Sequence, residues 1–248
     1  MRALLLGGTG DANALASALA RARIDAIYSY AGRTQIPLGH ALPTRTGGFG
    51  GATGLADYIR QEGITHVIDV THPFAAEMSR HAVEACVTTN TPLLALERAP
   101  WARMPGDNWI EVVDIEAAVV ALPDAPARVF LAIGRQHIAR FATKPQHAYT
   151  LRFVDAPEGA LPLPNAEVII SRGPFTLASD RELMVSRSTE YLVARNSGGS
   201  GARAKIDAAR ELGLSVIMIA RPTLPERPRV ESVEEVMAWL GHDARLGA

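Results

Sequence analysis

The feature that most constrains the fold of this chain is the alternation of short apolar segments with longer amphipathic ones. Short apolar runs suit strands that are buried on both faces, and segments with helical periodicity suit the helices that cover them. The predicted strands are residues 3–6, 26–30, 66–70, 92–96, 129–133, 150–154, 168–171, 191–194 and 216–220. The predicted helices are residues 11–22, 53–62, 75–88, 115–122, 135–141, 202–212 and 233–240. This order predicts an α/β fold with parallel sheets.

A glycine turn joins the first predicted strand to the first predicted helix, in the order Gly7-Gly8-Thr9-Gly10-Asp11. In doubly wound folds such a turn presents backbone N–H groups to a dinucleotide phosphate, and glycine allows the close approach. The turn therefore predicts a cofactor site at Gly8, Thr9, Gly10 and Asp11. The G-x-G-x-x-G pattern is incomplete, because its third glycine is replaced by Asn13. An ordinary turn is the alternative.

The end of the second predicted strand favours one nicotinamide cofactor over the other. NAD-binding folds place an acidic residue there, on the ribose 2′-hydroxyl. This strand contains Ser29 and leads into Arg33, with no carboxylate between them. An arginine favours a 2′-phosphate, so the pattern predicts NADPH, with Ser29 and Arg33 in its site. A solvated surface arginine is the alternative.

Two further loops are candidates for the same cofactor. The segment Thr46-Gly47-Gly48 opens a run of four glycines in six residues, which indicates close approach to a ligand or a flexible connection. The segment Thr71-His72-Pro73-Phe74 follows a strand, at the edge where open α/β sheets bind ligands. His72 is a candidate proton donor or a structural histidine. No spacing of histidine or cysteine predicts a metal site.

A third loop, after the strand 191–194, combines an arginine, an amide, a hydroxyl and two glycines just before a helix that carries a lysine. These residues, Arg195, Asn196, Ser197, Gly198, Gly199 and Lys205, predict an anion site, with a simple helix cap as the alternative. Other arginines follow predicted strands, namely Arg135, Arg172 and Arg221. Together with Arg195 they predict a polycarboxylate ligand, unless they are scattered surface residues.

Composition excludes several classes of partner. The formal net charge of −1, from 25 basic and 26 acidic residues, argues against nucleic acid. No apolar run approaches the ~20 residues of a membrane span, and the opening run is too short for a signal peptide. The single cysteine, Cys86, lies at helical spacing with Met78 and Ala82, which predicts core packing. We therefore expect a cytoplasmic protein with no membrane partner.

A change of composition near residues 98–107 suggests a division into two domains, residues 1–98 and 99–248. Each part contains a unit of strand, polar loop, helix, strand, arginine and proline. The sequence thus predicts two Rossmann-like parallel-sheet domains, the first for NADP and the second for substrate, with a ligand cleft between them.

The ordered set of motifs resembles the precorrin-6A reductase family of cobalamin biosynthesis. The resembling segments are Gly7–Asp11, Thr71–Ala75, Arg172–Phe175, Asn196–Gly199 with Lys205, and Ala220–Pro222. At Arg195 many relatives have lysine, which keeps the charge but changes the hydrogen-bond geometry.

This resemblance implies an NADPH-dependent reductase that delivers a hydride to C19 of the precorrin-6A macrocycle and a proton to C18, giving precorrin-6B. It also implies transient contacts with neighbouring enzymes of the pathway. The alternatives are another NADP-dependent reductase and a non-catalytic NADP-sensing module. A short-chain dehydrogenase is disfavoured, because no tyrosine precedes a lysine by four residues.

Overall fold

The computed structural model describes residues 1–30, 41–157 and 159–246. In chain order, the elements are β1 (Arg2–Leu6), α1 (Gly10–Arg21), β2 (Asp25–Tyr30), β3 (Thr44–Thr46), α2 (Gly51–Gln61), β4 (His66–Asp69), α3 (Ala76–Thr89), β5 (Leu93–Leu96), β6 (Asn108–Val112), α4 (Ile115–Val120), β7 (Arg128–Ala132), a 3-10 helix (Arg135–Thr143), β8 (Ala148–Phe153), β9 (Ala166–Ile170), α5 (Leu177–Ser186), β10 (Tyr191–Arg195), α6 (Ala204–Glu211), β11 (Ser215–Ile219), β12 (Arg229–Val230) and α7 (Val233–Leu246).

The chain forms two compact units. Unit 1 comprises Met1–Ala99 and Thr223–Ala248, and unit 2 comprises Pro100–Pro222. The sequence-based division placed all of residues 99–248 in the second domain, whereas the structure places residues 223–248 in unit 1. β12 pairs with β5, and Val236 and Leu240 of α7 pack in one cluster with Leu15 and Leu19 of α1. The last segment therefore completes unit 1.

Both units contain a six-stranded sheet in which every pairing is parallel. The order in unit 1 is β3-β2-β1-β4-β5-β12, and in unit 2 it is β9-β8-β7-β10-β11-β6. Each sheet has the Rossmann order, which reverses between β1 and β4 in unit 1 and between β7 and β10 in unit 2. The sixth strand of unit 1 comes from the end of the chain, whereas that of unit 2 precedes its other strands. The predicted fold class is confirmed.

The inner strands of unit 1, β1, β2, β4 and β5, are buried on both faces, as a doubly wound sheet requires. Along β1, Leu5 packs with residues of α1 and α7, while Leu4 and Leu6 pack with residues of α2 and α3. Cys86 lies buried in this second cluster, where burial raises the pKa of its thiol to about 12. The prediction that Cys86 packs in the core is confirmed.

The sequence pattern does not predict four of the elements, namely β3, β6, β12 and α5. The three strands lie at sheet edges and are short or polar, so burial imposes no apolar run on them. Helix α5 buries only Asp180 and Met184 and shows little amphipathic periodicity. The predicted helix 135–141 is a 3-10 helix.

Candidate functional site

The glycine turn of unit 1 lies at the switch point between β1 and β4, with its outer face open. A Cβ on Gly7 would overlap the ring of Tyr28, so glycine is required there for packing. Gly8 has a φ of 111°, and a Cβ on Gly8 or Gly10 would meet no atom within 4 Å. The turn therefore combines a packed inner residue with two glycines that leave space for a ligand beside the backbone.

Tyr28 supports this turn from below. Its hydroxyl accepts a hydrogen bond from the N–H of Gly8 at 2.9 Å and donates one to Oδ1 of Asn13 at 3.0 Å. Burial raises the pKa of Tyr28 to about 12, so the phenol stays protonated. Asn13 replaces the third glycine of the fingerprint and is the acceptor for this phenol, which gives the departure from the pattern a structural role.

Thr9 joins the helix start to the loop after β4. Its hydroxyl accepts from the N–H of Ala12 as the N-cap of α1 and donates to the carbonyl of Val70 at 2.9 Å. Among the described residues, none accepts a hydrogen bond from the N–H groups of Thr9, Gly10 or Asp11. Such N–H groups at a helix N-terminus can bind an anion. The Asp11 carboxylate pairs with Arg98 at 2.7 Å.

A buried carboxylate orders the loop after β4. Asp69 accepts hydrogen bonds from the N–H and hydroxyl of Thr71 through Oδ1, and from the hydroxyl of Ser79 through Oδ2 at 2.6 Å. Arg227 lies 3.7 Å from the same Oδ2 and 3.1 Å from Glu97. The C-terminal segment thus supplies a cation to the network beneath this loop, which the sequence did not predict.

His72 lies in this ordered loop, followed by Pro73. Its Nδ1 accepts a hydrogen bond from the N–H of Phe74 at 3.2 Å. Neutral His72 therefore carries its proton on Nε2. The form that can donate a proton is the imidazolium, in which Nδ1 is protonated as well, so proton donation requires the contact with Phe74 to be released. The His72 ring thus lies in the loop after β4, which the hydrogen bond from Thr9 to Val70 connects to the glycine turn.

The carboxyl ends of β2 and β3 bring Ser29 together with the second glycine loop. The link is Arg45, which donates to Oγ of Ser29 and to the carbonyls of Gly47 and Gly48. The N–H of Gly47 donates to the carbonyl of Tyr30, while Thr46 ends β3 with an exposed side chain. The predicted contact Arg33 lies outside the described residues.

The switch point of unit 2 presents side-chain cations. The guanidinium of Arg195, at the end of β10, would lie 3.8 Å from a Cβ on Gly134, which follows β7. Arg135 donates to the carbonyl of Asp155 at 2.8 Å, and Arg172 lies 3.5 Å from the carboxylate of the same residue. The structure therefore groups Arg195 with the loop after β7, and Arg135 with Arg172 around one aspartate.

Trp101 holds the predicted anion loop in place. Asn196 accepts from the N–H of Trp101 and donates to its carbonyl, and the indole N–H donates to the carbonyl of Gly199 at 2.7 Å. Gly198 and Gly199 have φ values of 67° and 70°, which glycine accommodates without strain. The loop geometry thus depends on a residue that the sequence analysis assigned only to the domain boundary.

Arg221 also contacts this loop, and Lys205 lies beside Trp101, the residue that holds the loop. Arg221 donates to the carbonyls of Asn196 and Ser197, so its contacts fix the backbone. Lys205 is only 9% exposed, donates to the carbonyl of Ala202 at 2.7 Å and lies 5.5 Å from the Trp101 ring. Burial, and then the neighbouring Arg152, lower the pKa of Lys205 to about 8. As placed, Lys205 is an internal cation.

The described part of the chain contains no helix long and apolar enough to cross a membrane. It also contains no group of three or more histidine, cysteine, aspartate or glutamate residues arranged to hold a metal ion.

The fold and these loops define the class of protein. It has two Rossmann-type units, and the first strand of unit 1 leads into an open glycine turn. A family model described as "Precorrin-6x reductase CbiJ/CobK" matches residues 2–241. The chain belongs to this family, so the resemblance seen in its motifs is confirmed. It is accordingly an oxidoreductase that acts on a tetrapyrrole precursor.

Curated relatives and a solved structure agree with this assignment. The chain is 56% identical over 239 residues to the precorrin-6A reductase of Rhodobacter capsulatus, covering 96% of this chain and 95% of the relative. It is 31% identical to the cobalt-precorrin-6A reductase of Priestia megaterium, covering 98% and 99%. A solved structure titled "CobK precorrin-6A reductase" matches with a TM-score of 0.94 and 56% identity, covering 98% and 96%.

Proposed function

We propose that this chain is a cytoplasmic, NADPH-dependent precorrin-6A reductase. The reaction saturates the C18–C19 bond of the macrocycle and gives precorrin-6B, an intermediate of cobalamin biosynthesis. The observation that carries the proposal is the family match over nearly the whole chain, combined with the open glycine turn at the switch point of unit 1. The relatives with 42% identity or more are named for precorrin-6A, whereas those at 31% or less are named for cobalt-precorrin-6A, which favours the metal-free substrate.

The residues of unit 1 fit a dinucleotide. Side chains are absent at Gly8 and Gly10 where a pyrophosphate would approach, and the N-terminus of α1 has N–H groups that no described residue accepts. Ser29, Thr46, Gly47 and Gly48 would bind the adenosine end. When bound, NADPH supplies the hydride, so the chain has to position the cofactor rather than provide a nucleophile.

Thr71, His72, Pro73 and Phe74 would line the other end of the cofactor site. The Asp69 network fixes the start of this loop, and the Thr9–Val70 hydrogen bond ties it to the glycine turn. His72 is our candidate for the proton donor at C18, through Nε2. A His72→Gln variant tests this role: if His72 donates the proton, kcat falls while the affinity for NADPH is retained.

Unit 2 would bind the carboxylates of the tetrapyrrole. Arg135, Arg172 and Arg195 lie at or after the carboxyl ends of its strands, with planar guanidinium groups that match carboxylates. The predicted loop Asn196–Gly199, with Arg221 and Lys205, supports this surface from inside. In this proposal the loop contributes its fixed backbone more than its side chains.

The decisive experiment is an anaerobic incubation of the protein with precorrin-6A and NADPH, following the absorbance of both. We expect loss of NADPH matched by conversion of the tetrapyrrole, and much slower turnover with NADH. Parallel reactions with cobalt-precorrin-6A distinguish the two substrates named among the relatives. Binding of NADPH without oxidation in every arm would support a sensing module and reject the proposal.

A further inference from the structure

Arg45 lies where a Rossmann fold distinguishes its two nicotinamide cofactors. β3 pairs with β2 so that Arg45 is the register partner of Ser29, one residue before the end of each strand. The carboxyl end of β2 is where Rossmann folds recognise the ribose 2′-position, through an acid for NAD or an arginine for NADP. The described part of β2 ends in Ser29 and Tyr30, with no carboxylate.

The Arg45 guanidinium is held in a fixed position. Nη1 donates to Oγ of Ser29 at 2.8 Å and to the carbonyl of Gly47 at 2.9 Å, and Nη2 donates to the carbonyl of Gly48 at 3.0 Å. The Phe49 ring lies 3.8 Å from the guanidinium carbon. These contacts orient the plane of the guanidinium before any ligand binds, which reduces the entropic cost of an interaction.

These partners leave the positive charge unneutralised. Among the described residues, Arg45 contacts a hydroxyl, two carbonyls and aromatic rings, and it pairs with no carboxylate. A partly buried cation with neutral neighbours attracts an anion more strongly than a solvated or ion-paired one. Burial also lowers the pKa of Arg45, as expected where charge lacks a compensating partner.

We propose that Arg45 recognises the 2′-phosphate of NADPH and so sets the preference for NADPH over NADH. This inference rests on the proposed function, because it assigns a residue within the cofactor site. Arginine suits the task because its planar donors match phosphate oxygens and its charge persists at any physiological pH.

The test uses two probes that differ only in the group at issue, adenosine 2′,5′-bisphosphate and 5′-AMP, with binding measured by calorimetry. The variants are Arg45→Gln, which removes the charge, and Arg45→Lys, which keeps it without the planar fork. Arg60→Gln is the matched control, since Arg60 lies exposed on α2 and pairs with Asp57. Arg33→Gln is measured beside them.

We expect Arg45→Gln to weaken the binding of the bisphosphate about 10- to 100-fold, which is the range of a charge-assisted hydrogen bond. The binding of 5′-AMP should weaken by less than about threefold. Arg45→Lys should retain part of the difference, and Arg60→Gln all of it. Equal weakening of both probes would mean that Arg45 only orders the glycine loop, and would overturn the inference. An unchanged ratio in Arg45→Gln would overturn it as well.

The wild-type protein separates this inference from the proposed function. If it binds neither probe, the NADPH assignment and the role of Arg45 fail together. If it prefers the bisphosphate and only Arg33→Gln removes that preference, the proposed function stands and the role of Arg45 fails. Because the ratio of two probes is measured within each variant, a partial loss of folded protein affects both probes alike.

Discussion

At the switch point of unit 1, β1 turns through open glycines into the α-helix α1, whereas at that of unit 2, β7 leads through Gly134 into a 3-10 helix. The two sheets have matching strand orders, but the chemical groups that they present to a ligand differ. Unit 1 presents backbone N–H groups around Gly8 and Gly10, and unit 2 presents guanidinium groups such as those of Arg135 and Arg195.

This difference suits the two proposed ligands. A pyrophosphate is compact and invariant, so a turn of backbone N–H groups can surround it. A tetrapyrrole carries carboxylates at the ends of flexible side chains around a wide ring, so long cationic side chains reach them better. One fold can therefore serve either ligand through the loops at its switch point.

The largest expected effect concerns the loop of unit 2. Trp101→Ala removes a buried ring and the indole hydrogen bond to Gly199, and should lower the free energy of unfolding by about 3–5 kcal/mol. The two hydrogen bonds between Asn196 and the backbone of residue 101 remain possible. Urea unfolding followed by circular dichroism measures the loss of stability. Trp101→Phe, which keeps a buried six-membered ring but lacks the indole N–H and the smaller ring, should cost less, about 1–2 kcal/mol. Equal losses in the two variants would contradict the importance of ring packing.

A pH series tests whether Lys205 is internal. Its folded pKa of about 8 is below the 10.5 of an exposed lysine. Between these values the unfolded chain holds a proton that the folded protein has released, so stability should rise with pH. Relative to Lys205→Met, the wild type should gain ~2 kcal/mol from pH 8 to 10.

Lys144→Met is the control in that series. Lys144 pairs with Asp124, whose carboxylate is exposed, and its removal corrects for the loss of one lysine charge. Denaturant midpoints at pH 7, 8, 9 and 10 give the comparison. A stability difference between wild type and Lys205→Met that does not change with pH across this range would show that Lys205 is solvated, and would bring it back among the substrate contacts.

The open turn of unit 1 is tested by a pair of glycine variants. Gly8 and Gly63 both have positive φ, at 111° and 62°, and a Cβ on either would meet no atom within 4 Å. The φ of Gly63 lies in the left-handed region, where alanine costs about 1 kcal/mol, whereas that of Gly8 lies beyond it, so Gly8→Ala should carry the larger backbone strain. Only Gly8→Ala should weaken the binding of NADPH, by about tenfold or more, in a fluorescence titration. Equal NADPH affinity in the two variants would place the pyrophosphate elsewhere.

The smallest expected effect is on Arg195. Arg195→Lys keeps the charge and should raise the KM for the tetrapyrrole by about threefold, whereas Arg195→Met should raise it about tenfold. NADPH affinity should be unchanged in both. A loss of NADPH affinity with an unchanged KM for the tetrapyrrole would assign Arg195 to the cofactor site. It would then contradict the proposed division of ligands between the two units.

Sequence reasoning found the elements that burial dictates. The central strands and the glycine turn have local signatures, because a strand buried on both faces is apolar throughout and Gly7 has no room for a Cβ. The supporting residues have no such signature. Arg45 lies in a polar edge strand, Asp69 and Arg227 are far apart in sequence, and Trp101 looks like part of a linker.

The sequence by itself determined the α/β class, the family and the position of the loops, since apolar periodicity and glycine placement are local properties of a chain. Only the tertiary structure decided that the C-terminal segment returns to unit 1, and which polar groups the protein uses internally. Strand order and ion pairing join residues remote in sequence. The contact of Arg227 with Asp69 is therefore a product of the fold, which no local pattern encodes.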